Sequence, residues 1–154
     1  MLVHDFAYVD APVGTVRTRL LESGGTWLGP LAAAAAGDGE ALRIRIGPAG
    51  PIPGLSRTTL VELGEVRERE GIVAIPISWR ASSAASAFPV LTADVEVAPL
   101  GPDRTQLTLM GRYEPPFGRL GERLDALLFH RIAEASVRSF LRRIADALAP
   151  ASAG

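Results

Sequence analysis

The clearest hydrophobic pattern in the chain is a pair of alternating segments, 91–97 and 107–113. Every second residue in each is apolar or glycine, and the residues between them are polar except for Met110. Such alternation is typical of a strand with one face on the core and the other in solvent. Residues 99–103, Pro-Leu-Gly-Pro-Asp, have the composition of a turn. The two segments are therefore predicted to form a β-hairpin.

Four further segments also have strand character. Residues 2–9, 42–46 and 59–63 are short β-prone runs, and 72–79 is a more continuous apolar run. Pro76 lies within the last of these and has no N–H to donate to a neighbouring strand. We therefore expect that strand to be interrupted or edge-like at Pro76.

Helical spacing of apolar residues follows the first strand. Asp10-Ala11-Pro12 has the residues of a helix start, and the apolar positions at 13, 16, 20 and 21 indicate a short amphipathic helix. A second short helix is predicted from Thr26 through the alanine run to Gly37. From about Phe117 to Leu148 the chain has no proline, which predicts a long C-terminal helix, ended by Pro150.

The apolar face of this long helix changes direction along its length. One stripe is formed by Leu120, Leu124, Leu127, Leu128 and Ile132, and a second by Val137, Phe140, Leu141, Ile144 and Leu148. At about 100° per residue the two stripes are displaced by more than a right angle. We expect the second stripe to pack on the sheet. The first is expected to cover a cavity mouth or to contact a partner.

Composition limits the possible functions more than it indicates one. The chain has 154 residues, 47% of them hydrophobic and 21% charged, as expected for one globular domain. It has no cysteine and two histidines, which excludes thiolate sites, disulfides and a three-histidine metal site. A net charge of −1, without lysine, argues against nucleic-acid binding. No cofactor or metal site is predicted.

Neither a signal peptide nor a membrane-spanning segment is visible in the sequence. The first ten residues lack a basic start followed by an apolar run, and the apolar stretch at 32–36 is far shorter than a membrane helix. We expect a cytoplasmic protein that consists of a single domain over residues 1–150. Residues 151–154 are expected to be a frayed tail.

The order of the predicted elements resembles that of the START-like superfamily, also called SRPBCC. Particular stretches add to the resemblance, among them 9–12 before the first helix, 78–81, 88–91 and 111–116. The resemblance implies an α+β helix-grip fold, in which a curved antiparallel sheet of about six or seven strands wraps the C-terminal helix around an apolar cavity. Members of the superfamily include birch-pollen-allergen-like proteins, lipid carriers, ligand sensors and polyketide cyclases, so the fold does not decide the function.

The predicted ligand-binding residues are the apolar side chains that strand parity and the helix stripe direct inward. They are Val61, Ile75, Ile77, Trp79, Leu91, Val95, Leu107, Leu109, Tyr113 and Leu124. Trp79 and Tyr113 stand out because an aromatic ring can form the wall of a pocket while its N–H or O–H orients a ligand. Ordinary core packing is the equally weighted alternative for both.

Other chemistry has weaker support. The loop 47–54 has glycines but also three prolines and no lysine, which does not fit a phosphate-binding loop. For His130 a solvated or capping role is favoured over a catalytic one, and His4 is not expected to be catalytic. His4 and Asp5 are neighbours in a strand and point to opposite faces, so they form no obvious dyad. We therefore predict no catalytic residue.

Three functions remain open from the sequence. The first is the binding or carriage of a small hydrophobic ligand, lipid-like or polyketide-like, between the sheet and the C-terminal helix. The second is a cyclase or dehydratase that uses the same cavity, with Tyr113 or a histidine moving protons. The third is an interaction module, including a possible homodimer through the stripe at 120–128.

Overall fold

The computed structural model describes residues 1–22, 59–81, 89–114 and 126–150, together with residues 28, 30–32 and 34–35. Within these residues the chain forms six strands and two helices. Their bounds are β1 Leu2–Val9, α1 Val13–Glu22, β2 Thr59–Leu63, β3 Arg67–Arg69, β4 Ile72–Ala81, β5 Val90–Pro99, β6 Thr105–Glu114 and α2 Ala126–Leu148. Residues 28, 30–32 and 34–35 are helical, as predicted for the second short helix.

The strands form one curved antiparallel sheet in the order β1-β6-β5-β4-β2, and β3 also pairs with β4. Helix α2 packs on the inward face of this sheet, mainly against β1 and also against β6. The predicted α+β helix-grip architecture is therefore confirmed. None of the described helices is both long and apolar enough to cross a membrane.

The hairpin of β5 and β6 has the predicted turn, in which the N–H of Leu100 donates to the carbonyl oxygen of Arg104 at 2.9 Å. A second hairpin joins β3 and β4 through Glu70 and Gly71, whose φ angles are 51° and 82°. Two residues with positive φ make the tight turn that suits the twist of an antiparallel pair. The sequence analysis missed strand β3, because Arg67–Arg69 is exposed and polar on both faces.

Strand β4 is continuous through Pro76, so the expected interruption is wrong, whereas the expected edge-like character is confirmed, because neither β2 nor β3 pairs with Pro76. The interruption falls in the partner strand instead, because β2 pairs with β4 up to Ile77 and β3 pairs with it only from Ala74 onward. In the gap, the N–H of Gly64 donates to the carbonyl oxygen of Pro76 at 2.8 Å. The missing N–H of Pro76 faces the same gap, where no ladder hydrogen bond is required.

Strand parity places the core as predicted, since the odd-numbered positions of β4, β5 and β6 face inward. The buried ones are Val73, Ile75, Ile77, Trp79, Leu91, Ala93, Val95, Val97, Thr105, Leu107, Leu109 and Tyr113. They pack against the second stripe of α2, whose residues Val137, Phe140, Leu141, Ile144 and Leu148 are all buried in the same cluster. The prediction that the C-terminal half of the helix is the part gripped by the sheet is confirmed.

The first stripe of the long helix is only partly within the described residues. Leu127 is 72% exposed, whereas Ile132 is 3% exposed and buried outside the main core cluster. Leu120 and Leu124 lie outside the described residues, as do the predicted helix start at 117, the predicted strand at 42–46 and the tail at 151–154. The role of this stripe therefore stays a prediction.

The sheet has two different ends, which we name for what they carry. The turn end has the β3–β4 and β5–β6 turns and the exit from β1 at Asp10-Ala11. At the other end β2 and β5 begin and β4 and β6 finish, so Thr59, Ala81, Val90 and Glu114 lie together there. We call this second end the row end, after the side chains described next.

Candidate ligand-binding site

Four of the predicted ligand-binding residues form one row across the sheet. The registers pair Val61 with Trp79, Trp79 with Leu91, and Leu91 with Tyr113. With neighbouring strands about 4.8 Å apart, the Trp79 and Tyr113 backbones are separated by roughly 10 Å. We call Val61, Trp79, Leu91 and Tyr113 the aromatic row, because it places the two aromatic side chains on either side of Leu91.

Helix α2 contacts the aromatic row through Phe140. The rings of Trp79 and Phe140 contact edge to face, with centroids 4.9 Å apart and an interplanar angle of 84°. This geometry places the positive edge of one ring against the negative face of the other. Ser136 lies four residues before Phe140, hence on the same face of α2. The row is therefore covered by Phe140, and Ser136 is buried one turn earlier on the same face of the helix.

Two buried polar atoms of this region have no hydrogen-bond partner among the described residues. The indole Nε1–H of Trp79 and the hydroxyl of Ser136 are buried, and neither forms a hydrogen bond to any residue that the structure describes. Both side chains are 1% exposed, so solvent does not reach them. Leaving a buried polar group unsatisfied costs about 1–3 kcal/mol. An unsatisfied pair on an otherwise apolar face is the most unusual chemical feature of the interior.

The other predicted ligand-binding residues lie further along the same inward face, toward the turn end. Ile75, Ile77, Val95, Leu107 and Leu109 are buried in the core cluster. Ile75, Val95 and Leu109 occupy a second row in register with one another. Leu124 lies outside the described residues. The structure thus brings nine of the ten onto one face, and four of these share the row end.

The two histidines lie away from the aromatic row. His130 is about half exposed on α2, and its Nε2 lies 3.1 Å from Oε1 of Glu134, one helical turn later. His4 is exposed on β1. No group of three or more histidine, aspartate or glutamate side chains within the described ranges could hold a metal ion. Tyr113 is therefore the titratable side chain of the row.

Sequence reasoning missed Ser136 as a residue of this site. Its position was visible as a small polar residue four positions after Ile132 and four before Phe140, which puts it in line with two apolar side chains. That signal is weak, because serine is common on exposed helix faces. Only the packing of α2 on the sheet shows that Ser136 is buried.

The described surface also carries a groove of about 530 Å³ on the outward face of the sheet. Its lining includes Glu62, Arg67, Ser78, Thr92 and Asp94, and an exposed ion pair joins Arg67 to Asp94 at 2.8 Å. Ile77 is the one predicted ligand-binding residue among the lining residues. The groove thus has a mixed polar and apolar lining and lies on the other side of the sheet from the aromatic row.

Comparison with known proteins identifies the fold. No family model matches the chain and no curated protein matches it. A conserved protein from Geobacillus kaustophilus has a similar structure, with a TM-score of 0.52, 12% sequence identity, and coverage of 96% of this chain and 95% of that chain. A hypothetical protein from Helicobacter pylori matches with a TM-score of 0.51, 9% identity, and coverage of 95% and 86%.

A third solved structure, the Zhui aromatase/cyclase from Streptomyces, matches with a TM-score of 0.43, 16% identity, and coverage of 96% of this chain and 93% of that chain. At identities this low, similarity concerns the fold and not the activity. The six-stranded antiparallel sheet and the C-terminal helix packed on its inward face nevertheless agree with the order of elements in the sequence. The chain has a helix-grip fold, as the order of its elements predicts.

Proposed function

We propose that this protein binds a small, largely apolar ligand between the aromatic row and helix α2. The observation that carries the proposal is the pair of buried polar atoms, Trp79 Nε1–H and Ser136 Oγ, without partners among the described residues. In folded proteins nearly all buried polar atoms have a hydrogen-bond partner, and exceptions are commonly explained by a bound water, ion or ligand. The apolar surroundings favour a ligand over an ion.

The chemistry of the two atoms defines what the ligand must present. An indole N–H can only donate, whereas a hydroxyl donates and accepts. The ligand therefore carries at least one acceptor oxygen, such as a carbonyl or hydroxyl, on an apolar body. A lipid-like or a polyketide-like molecule satisfies both conditions. The inward face of Val61, Ile75, Ile77, Trp79, Leu91, Val95, Leu107, Leu109 and Tyr113, with Leu124, would contact the apolar body.

Entry of such a ligand requires side chains to move. Trp79, Leu91, Tyr113 and Phe140 are almost completely inaccessible. Trp79, Leu91 and Tyr113 each lie within two residues of the end of their strand at the row end. We expect the ligand to enter there and to separate Phe140 from Trp79, which replaces one aromatic contact with contacts to the ligand.

Native mass spectrometry of the protein purified from its own host tests this proposal. We expect wild-type protein to retain a small molecule of defined mass, and Ser136→Ala to retain much less of it. Ser139→Ala is the matched control, because Ser139 is on the same helix and its hydroxyl accepts a hydrogen bond from Arg143 Nε at 3.3 Å. Equal occupancy in all three proteins, or no bound molecule in any, contradicts the proposal.

An enzyme that uses the same site is the second candidate, and the position of Tyr113 favours it. Its phenol is fully buried in the row that contains Trp79, so a bound polyketide-like chain would be held beside a group able to move a proton. Turnover of candidate substrates by wild type and by Tyr113→Phe separates the two functions. A carrier retains ligand in both, whereas an enzyme of this kind loses activity in the variant.

A homodimer through 120–128 is a further proposal, supported by the exposure of Leu127.

A further inference from the structure

A second, smaller cavity lies between strand β1 and helix α2. It is a cleft of about 190 Å³, lined by Leu2, Val3, His4 and Asp5 from the strand and by His130, Glu134, Val137 and Arg138 from the helix. Val3 and Val137 belong to the buried core and form its apolar base. The other lining residues include five that are charged or titratable, and both histidines of the chain are among them. The cleft thus combines an apolar base with a charged wall, and it lies between the sheet and helix α2.

The strand side of the cleft presents unused backbone groups. The amino group of Met1 donates to the carbonyl oxygen of Tyr113 at 2.7 Å, and the N–H of Tyr113 donates to the carbonyl oxygen of Met1 at 2.9 Å. Met1 is thus hydrogen-bonded to β6, so the N–H and C=O groups of Leu2 and His4 point away from that strand. They have no partner among the described residues. Since strand parity directs the His4 ring outward, its backbone is the part available to the cleft.

The helix side of the cleft holds the charges. Arg138 Nε donates to Oδ2 of Asp5 at 3.2 Å, and Oδ1 of Asp5 accepts the N–H of Phe6 at 2.9 Å. Glu134 is engaged with His130 at 3.1 Å. The carboxylates are therefore occupied, whereas the two terminal nitrogens of Arg138 have no partner among the described residues. The remaining hydrogen-bond donors of the cleft are the terminal nitrogens of Arg138, on a guanidinium that is always charged, and the backbone N–H of His4.

We propose that this cleft binds a small carboxylate with an apolar body. The carboxylate would accept hydrogen bonds from the terminal nitrogens of Arg138 and from the N–H of His4, and the body would lie on Val3 and Val137. Arginine suits a carboxylate because its planar fork matches the two oxygens. A singly charged anion fits better than a doubly charged one, because Asp5 and Glu134 stand close by. The proposal does not rest on the interior site, since Val137 separates the two.

An NMR titration of the full-length protein with benzoate tests the proposal. Benzylamine, which has the same ring and the opposite charge, is the comparison. We expect benzoate to shift the backbone amide signals of Leu2 and His4 and the imidazole signals of His130 in a saturable way, and benzylamine to bind more weakly. Losing hydrogen bonds to a charged partner should weaken benzoate binding at least about tenfold in Arg138→Gln. Arg142→Gln, an exposed arginine of the same helix outside the cleft, should bind as wild type does.

A second variant distinguishes binding from a structural role of the ion pair. Asp5→Asn removes a competing negative charge and frees Arg138, so benzoate affinity should be retained or increased. If the ion pair only holds β1 and α2 together, Asp5→Asn and Arg138→Gln lose affinity alike. The proposal is overturned by that result, by tighter binding of benzylamine, by wild-type affinity in Arg138→Gln, or by the absence of a saturable shift with benzoate.

Discussion

Two aliphatic hydroxyl groups, those of Thr105 and Ser136, are buried among the described residues, one near each end of the sheet, and they differ in their hydrogen bonds. Thr105 lies at the turn end, and its Oγ1 donates to the carbonyl oxygen of Ala11 at 2.8 Å. Ser136 lies over the row end, and its hydroxyl has no partner among the described residues. The two side chains have similar chemistry and equal burial. We attribute the difference in hydrogen bonding to different roles of the two ends of the sheet.

At the turn end, several polar groups form hydrogen bonds within the protein. The N–H of Ala11 donates to the carbonyl oxygen of Val9 at 2.9 Å, and Arg104 Nε donates to Asp10 Oδ1 at 2.8 Å. At the row end the indole N–H of Trp79 and the Ser136 hydroxyl are buried together with apolar side chains and remain unsatisfied. The turn end thus stabilises the fold. The row end bears a cost in stability that a bound ligand would offset.

The largest expected effect is at Thr105. Thr105→Val keeps the shape of the side chain but leaves the buried carbonyl of Ala11 without its donor, so we expect a loss of about 1–3 kcal/mol in the free energy of unfolding. Chemical denaturation measures this loss. Thr108→Val, on the outward face of the same strand, is the control and should change stability by less than about 0.5 kcal/mol. Equal effects of the two would remove the contrast on which the comparison depends.

A smaller effect is expected at Gly71 in the β3–β4 turn. Its φ of +82° is a conformation that residues with a Cβ rarely adopt, while nothing lies within 4 Å of the place where that Cβ would be. Gly71→Ala should therefore cost about 1–2 kcal/mol through backbone strain alone. Gly14→Ala in helix α1 meets the same open space without positive φ, and thermal unfolding should show no loss for it. A loss at both positions would indicate crowding in place of strain.

The smallest effect is expected at Ser136. Ser136→Ala removes a hydroxyl that has no partner, and alanine favours a helix, so the ligand-free protein should be as stable as wild type or more stable by up to about 0.5 kcal/mol. The measurement is again chemical denaturation, on protein freed of bound molecules by unfolding and refolding. A loss comparable with that of Thr105→Val would show that Ser136 has a structural hydrogen bond after all.

Much of the sheet could be predicted because its strands have one wet and one buried face. The alternation in β5 and β6 fixes which side chains face inward, and hence places Trp79, Leu91 and Tyr113 on one face. Strand β3 could not be found this way, because both of its faces are exposed. For Pro76 the sequence left two alternatives open: the missing N–H indicates a gap in a ladder, but the sequence does not show whether the strand itself or its neighbour is interrupted.

The sequence predicts which side chains of the site face inward, but not which of them lie next to one another. Sequence parity indicates that nine apolar residues face inward, but it does not give the register that aligns Val61, Trp79, Leu91 and Tyr113 in one row. That register depends on four separate strands. Ser136 and the cleft beside Arg138 depend further on how α2 packs against the sheet, which involves contacts more than 100 residues apart in sequence, such as Arg138 with Asp5.

The indole N–H signal of Trp79 tests the central claim most directly, because it reports whether that donor has a partner. Trp27→Phe protein contains Trp79 as its single tryptophan, so the indole region of a ¹H–¹⁵N spectrum shows one group. The spectrum of protein as purified from its host is compared with that of protein stripped of bound molecules by unfolding and refolding. We predict a change from a hydrogen-bonded to a non-hydrogen-bonded indole N–H on stripping. An identical indole signal in both preparations would contradict the account.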